Sequence, residues 1–129
     1  MTATAITGLG VDLVDVRRIA GIWERFGERF LLRIFAPSEL ATIEGREVTA
    51  TFLAGRWAAK EAVSKSLGTG FRGFNMCDIA VMTDAQGRPE VILHGGAALQ
   101  AQKVGVARIL LSISHEKEMA TATAIALAG

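Results

Sequence analysis

The chain has 129 residues, half of them hydrophobic and 21% charged, with a formal net charge of +1. That is enough for one domain with a real core and too little for two of ordinary size, and so even a charge balance offers no global electrostatic case for nucleic acid. A single cysteine, Cys77, excludes an internal disulfide and suits a reducing compartment. No apolar run approaches the about 18 residues of a membrane span. The start Met1-Thr-Ala-Thr-Ala5 lacks the basic residues and long apolar stretch of a signal peptide, so a cytoplasmic location is expected.

Residues 5–14 alternate as a strand, with Thr7, Leu9, Val11 and Leu13 pointing one way and Ile6, Gly8, Gly10, Asp12 and Val14 the other. Glycine inside a strand marks a close approach to the backbone. Asp12 is therefore either a ligand-site candidate on a cleared surface or the frayed end of a bulge. Asp15 can cap a helix running to about Phe26, whose buried face is Ile19, Ile22, Trp23 and Phe26, with Arg17, Arg18 and Arg25 off that face. Gly27 breaks this helix, and Glu28 to Phe35 continue as a short second one. Across 15–33 five arginines stand against Asp15, Glu24 and Glu28, an excess of two positive charges (five minus three). It reads either as an ordinary solvated face or as a docking surface for an acidic partner. Pro37 opens a short helix through about Ile43, and residues 44–49 form a polar connection.

A helix over about 48–67 is the centre of the chain. It is rich in alanine, contains no proline, and is stopped by Gly68. It is apolar almost all round, the mark of a helix buried on several sides, yet it carries Arg56, Lys60, Glu61 and Lys65. A buried charge is costly unless paired or ligated. Leu53, Trp57, Glu61 and Lys65 form one stripe at four-residue spacing, and Arg56 and Lys60 a second pair beside it. Glu61 is either an ion-pair partner of Lys65 at a solvated edge or a functional carboxylate. The following Gly68-Thr69-Gly70-Phe-Arg72-Gly-Phe74 is either a loop whose free backbone N–H groups can cradle phosphate or a plain helix stop.

Asp78–Met82 and Glu90–Leu93 read as a hairpin across an Asp84–Pro89 turn. A helix follows over Ala97–Val104, then strands over Arg108–His115 and Met119–Leu127. Ala120, Ala122, Ala124 and Ala126 give the last strand an all-alanine face on which the central helix can pack very close. His115 ends its strand on the side of Ile109, Leu111 and Ile113. With hairpins and no regular βαβ alternation, the expectation is one α+β domain over residues 1–129, a mostly antiparallel sheet packed on a central buried helix.

Two scattered histidines and one cysteine give neither a nucleophile triad nor a zinc spacing. Asp12 and Glu61 can together hold Mg²⁺, with waters and a substrate phosphate completing the octahedron. Arg56, Lys60, Lys65, Arg72 and His115 are the cations available to anions around that pair. Such a set suits a phosphate-bearing substrate and phosphoryl-type transfer.

Gly8-Leu-Gly-Val-Asp12-Leu-Val14 and Phe52-Leu-Ala-Gly-Arg-Trp-Ala-Ala-Lys60-Glu61-Ala-Val-Ser-Lys65-Ser-Leu-Gly-Thr-Gly70 resemble the two signature motifs of the small holo-acyl-carrier-protein synthases, members of the 4′-phosphopantetheinyl transferase superfamily. Phe35-Ala-Pro-Ser-Glu-Leu40, Gly87-Arg-Pro89, Leu93-His-Gly95 and Ser112-Ile-Ser-His115 agree in order along the chain. The resemblance implies that family's fold and transfer of phosphopantetheine from coenzyme A to a serine of apo acyl carrier protein, with release of adenosine 3′,5′-bisphosphate. By position, Asp12 and Glu61 match Mg²⁺ ligands. Lys65 matches a residue that neutralises the same phosphate. The base that takes the serine proton is either Glu61 or a metal-bound water. Arg56, Lys60 and His115 match positions near the phosphates of coenzyme A, and Gly68, Thr69 and Gly70 the loop near its nucleotide. Arg18 and Arg25, with Arg17 and Arg29, would receive the acidic carrier protein. The family's small members imply a homotrimer with the site between subunits. Trp57 stands where the family mostly has Phe, Glu116 where a smaller residue is usual, and segment 44–50 is short.

Overall fold

A computed structural model describes residues 5–129; the reading of the first residues as lacking a signal peptide concerns in part Met1 to Thr4, which lie outside the described residues. The order of elements is β1 (Ile6–Asp15), α1 (Val16–Phe26), α2 (Glu28–Ile34), α3 (Pro37–Ile43), α4 (Ala50–Ser66), a 3₁₀ turn (Met76–Asp78), β2 (Ile79–Thr83), β3 (Pro89–Leu93), α5 (Gly95–Lys103), β4 (Val106–His115) and β5 (Met119–Ala128). Among the described residues every strand pairing is antiparallel: a three-stranded sheet in the order β1-β5-β4, and a separate β2-β3 hairpin. Among the described residues, no helix is long and apolar enough to cross a membrane.

Local chemistry accounts for most element ends. The Asp15 carboxylate accepts the Arg17 backbone N–H at 2.8 Å and so caps α1. Thr49 caps α4 by accepting the Phe52 N–H at 3.1 Å. The β2-β3 turn is held by the Asp84 carboxylate, which accepts the N–H groups of Gln86 and Arg88 at 2.9 Å each, with Gly87 at φ 83°.

α4 lies across the inner face of the three-stranded sheet. Ala54, Ala58 and Ala62 on the helix are fully buried, as are Ala124 and Ala126 on β5, so the alanine face of β5 receives the helix as expected. The glycines of β1 are needed for the same contact. A Cβ at Gly10 would overlap the carbonyl oxygen of Ala62 and stand only 2.8 Å from its carbon; one at Gly8 would overlap the carbonyl oxygen of Ser66. The surface next to Asp12 is therefore cleared for the α4 backbone and not for a ligand, which corrects the expectation drawn from the strand alone. A second correction concerns Phe26. It shares the helical spacing of Ile19, Ile22 and Trp23, but at the last turn of α1 it has run off the core and is 42% exposed.

Among the described residues the outer face of β1 is apolar and exposed, and β5 and β4 continue that face with Thr121, Thr123, Arg108, Ser112 and Ser114 as well as Ile125 and Leu110. Leu9, Val11 and Leu13 on β1 are 57–65% exposed, and Leu110 on β4 adds to them.

Candidate active site

Three of the sequence-predicted residues meet where β1 crosses the C-terminal half of α4. Lys65 Nζ donates to Asp12 Oδ1 at 3.3 Å and to the Val11 carbonyl at 3.0 Å. The i, i+4 ion pair between Lys65 and Glu61 is thus not formed, because β1 offers Lys65 a carboxylate and a carbonyl on the same side. The Glu61 carboxylate has no hydrogen-bond or ion-pair partner among the described residues. Partial burial raises its pKa above the ordinary carboxylate value, and the Asp12 charge raises it further, against the opposing fields of Lys65 and Arg18. Two carboxylates that repel each other, one of them unpaired, form a site that is more stable with a cation between them.

No group of three His, Cys, Asp or Glu side chains among the described residues is placed to hold a metal ion. A two-carboxylate site does not exclude Mg²⁺, which commonly takes one or two carboxylates and fills its octahedron with waters and substrate phosphate oxygens. Asp12 and Glu61 fit that ion by charge and by donor type, and do not fit a softer metal, since neither His nor Cys stands with them.

Arg56 and His115 come together elsewhere. They line a cavity of about 420 Å³ with Phe52, Thr83, Gly87 and Pro89, between the N-terminal half of α4, the hairpin and the end of β4. Arg56 Nη2 reaches Thr83 Oγ1 at 3.4 Å, and its guanidinium lies 5.0 Å from the centre of the Phe52 ring. Burial lowers the Arg56 pKa, against the Glu39 charge, and the group remains cationic. A smaller cavity of about 200 Å³ shares Phe52, Arg56 and Thr83 and adds Arg46. Sequence reading passed over Arg46, which sits in an irregular polar connection without periodicity.

The two constellations belong to opposite edges of one sheet. β1 and β4 are separated by β5, hence by about 10 Å at ordinary strand spacing, with α4 lying above. Asp12 pairs in register with Ala122, and His115 with Ala120. Asp12, Glu61 and Lys65 are not among the residues that line the Arg56–His115 cavity.

Lys60 is not part of either. It is fully buried, with its ammonium on Glu39 Oε1 at 2.6 Å, on the Met76 carbonyl at 3.2 Å and on the Ile79 carbonyl. The expectation that it lies near a substrate phosphate is corrected: its donors are consumed and solvent does not reach it. Burial pushes its pKa down while Glu39 opposes the shift. Glu39, itself 2% exposed, was not singled out from the sequence. The glycine loop is corrected too. The N–H of Gly68 goes to the Lys65 carbonyl at 2.9 Å and that of Gly70 to the Ser64 carbonyl at 3.2 Å, with both glycines at positive φ. These donors close the end of α4 and are not free to cradle phosphate, while the Thr69 hydroxyl is turned onto the Gly70 carbonyl at 2.9 Å.

The arginines of α1 and α2 are exposed as expected. Arg17 is tied to Asp15 at 3.2 Å; Arg25 and Arg29 flank the Phe26 ring at 5.2 and 5.7 Å, and Arg18 lies 5.7 Å from the centre of the Trp57 ring. Beside them opens an apolar cavity of about 760 Å³, lined among others by Phe26, Phe30, Trp57 and Phe71, with Arg29 and Arg33 contributing charge.

The profile of the 4′-phosphopantetheinyl transferase superfamily matches residues 8–124, and the chain belongs to that superfamily. Within it, the chain is similar to the holo-[acyl-carrier-protein] synthase of Halorhodospira halophila, 47% identical over 125 residues that cover 96% of this chain and 99% of the relative. Among solved structures, the acyl carrier protein synthase of Plasmodium yoelii with ADP bound superimposes with a TM-score of 0.91 at 35% identity, covering 99% of both chains. The Helicobacter pylori holo-[acyl-carrier-protein] synthase in complex with coenzyme A gives 0.78 at 28% identity, covering 92% of this chain and 98% of that one.

Proposed function

We propose that this protein is a holo-acyl-carrier-protein synthase, moving 4′-phosphopantetheine from coenzyme A to a serine of apo acyl carrier protein. The observation that carries this reading is the meeting of Asp12, the unpaired Glu61 and Lys65 at the β1 edge of α4. Asp12 and Glu61 would hold Mg²⁺. Bound there, the ion supplies neutralisation of the pyrophosphate charge and Lewis-acid polarisation of the attacked phosphoryl group. Lys65, half exposed on the Asp12 side, adds a donor for the same phosphate oxygens. The serine oxygen attacks the β-phosphorus, a new P–O bond forms, and the bond to the bridging oxygen breaks, releasing adenosine 3′,5′-bisphosphate. Glu61, whose carboxylate has no partner among the described residues, would accept the serine proton.

Arg56 and His115 bind the phosphates at the nucleotide end of coenzyme A, with Arg46 beside them; Thr69 and the glycine loop lie past the other end of α4 and reach that ligand only from another subunit. Arg17, Arg18, Arg25 and Arg29 receive the acidic carrier protein, and the apolar cavity among them gives that partner a seat for its own apolar side chains. Because the acidic cluster and the Arg56–His115 cavity occupy opposite edges of one sheet, the complete site lies between subunits. The uncovered face of Leu9, Val11, Leu13 and Leu110 supports this as the contact between copies, in a homotrimer. The free Cys77 agrees with work in the cytoplasm.

The test is the intact mass of an apo acyl carrier protein after incubation with the enzyme and coenzyme A, in Mg²⁺ and in EDTA. A gain of one phosphopantetheine that requires the metal is expected. No gain with several carrier proteins and a folded enzyme would point instead to a domain that binds coenzyme A without transferring from it.

A further inference from the structure

α4 presents an unusual problem of specification. Its contact with the sheet is made by Gly55, Ala62 and Ser66 against Ile113, Gly10 and Gly8. Surfaces this small have few interlocking side chains to set the helix's rotation about its own axis. On the sheet side the directional contact is that of the half-exposed Lys65 with Asp12 and the Val11 carbonyl; the opposite side carries the fully buried one. Lys60 is two residues, about 200°, round from Ala62. There the buried Lys60 donates to Glu39 Oε1 and to the carbonyls of Met76 and Ile79. Glu39 in turn accepts the N–H of Ala36 at 2.9 Å with Oε1 and that of Val81 at 3.0 Å with Oε2. The knot ties α4 to the start of α3, the 3₁₀ turn and β2, and among the described residues no buried side-chain polar atom is left without a partner.

Lys60 and Glu61 are consecutive, so the direction of one sets the direction of the other about 100° away. We propose that Glu39 and Lys60 are positioning residues: their buried pair locks the roll of α4 so that Glu61 projects toward Asp12. This rests on the reading of Glu61 given above. A buried ion pair is weak as a stabilising device, since well-packed apolar replacements often serve as well. Its directional bonds, in contrast, have one arrangement only.

Two variants separate positioning from simple structural support. Glu39→Leu/Lys60→Met removes both charges together and leaves neither orphaned. Glu39→Asp keeps the pair and withdraws the carboxylate by one methylene. Circular dichroism and melting follow the fold, and transfer kinetics follow the reaction. Mn²⁺ binding to the metal-free protein, read by electron paramagnetic resonance, follows the carboxylate pair without any reaction. Folded variants are expected to keep the KM for coenzyme A within about twofold, to lose about tenfold or more in kcat, and to bind Mn²⁺ about tenfold more weakly, as removal of supporting contacts does at metal sites. A folded double variant with wild-type kcat and Mn²⁺ affinity overturns the proposal. Should the double variant fail to fold, Glu39→Asp decides: unchanged kcat and Mn²⁺ affinity overturn it, and losses in both support it. Glu61→Gln is measured in parallel. If it transfers at the wild-type rate, the role of Glu61 itself is wrong, an outcome distinct from an inactive Glu61→Gln beside a fully active double variant.

Discussion

Gly10→Ala adds one methyl group at the point where α4 crosses β1. A Cβ there would overlap the carbonyl oxygen of Ala62 and lie 2.8 Å from its carbon and 2.9 Å from the Ser66 nitrogen. Ordinary contacts to these atoms begin near 3.4 Å, and every atom in the way is backbone, so no side chain can turn aside. The helix must move off the strand by on the order of 1 Å, a strain of about 2–3 kcal/mol on the scale of overpacked cores. For a domain of this size that is a fall in melting temperature of about 10 °C. The same movement carries Glu61 and Lys65 away from Asp12, and misplacement by about 1 Å can cost 10²-fold in rate. Melting by circular dichroism and transfer by intact mass, both well below the melting temperature, read the two effects separately. Gly21→Ala is the control: it lies inside α1 with nothing within 4 Å of a new Cβ, so it should hold or raise stability by up to about 1 kcal/mol. A Gly10→Ala protein that melts and transfers like wild type would refute the close packing of α4 on β1 as the basis of the site.

Glu61 titrates above its usual value because of burial and the neighbouring Asp12. A carboxyl whose folded pKa is raised binds more protons in the native state, so the metal-free protein loses stability as pH rises through the usual carboxylate value toward the raised one. Glu61→Gln should therefore melt at or above the wild-type temperature at neutral pH without metal, lose the upward shift on adding Mg²⁺, and transfer at least 10²-fold more slowly; a variant that melts well below wild type at neutral pH would contradict this. Arg25→Glu should raise the KM for carrier protein about tenfold and flatten its salt dependence while leaving the KM for coenzyme A unchanged, and an equal rise in both would remove the docking role. Asp12→Asn and His115→Ala, each weak alone, should regain activity when unfolded together and refolded as mixed oligomers, because one undamaged interface site then forms. Absence of complementation in demonstrably mixed oligomers would place both residues in the site of a single chain.

The elements were readable from the sequence wherever the signal is local. Asp15 before an amphipathic run, Pro37 at a helix start and Gly87 in a tight turn each act through neighbours a few residues away, and the four alternate alanines of β5 are legible because the strand period itself gathers them on one face. What escaped was decided by partners distant in the chain. Lys60 looked available for phosphate because its partner Glu39 lies 21 residues earlier on another helix. Lys65 looked paired to Glu61 because spacing on one helix is visible, whereas the carboxylate it bonds is 53 residues away on β1. The glycines of β1 announced a close approach without naming what approaches. At the end of α4, Gly68 and Gly70 gave a true helix stop and a false phosphate cradle, since the same N–H groups cannot serve both.

The corrections share a consequence for how the site is built. Asp12 and Glu61 come from a strand and a helix that share no local contact, and short carboxylate side chains can meet only if those backbones lie unusually close. Glycine on β1 and alanine on α4 and β5 make that approach possible. Their smallness also leaves the interface few features that orient the helix, the half-exposed Lys65 on β1 among them, and on the proposal above the buried Glu39–Lys60 pair on the far side completes that orientation. The outer face of β1 is apolar too, and no described element folds back to cover Leu9, Val11 and Leu13. In the homotrimer proposed above, association would cover that face and would at the same time bring the acidic edge of one subunit beside the Arg56–His115 edge of another. On this reading assembly and activity cannot be separated by substitution: a charge introduced at Leu9 or Leu13 must dissolve both, whereas a change confined to Arg56 or His115 must spare the oligomer.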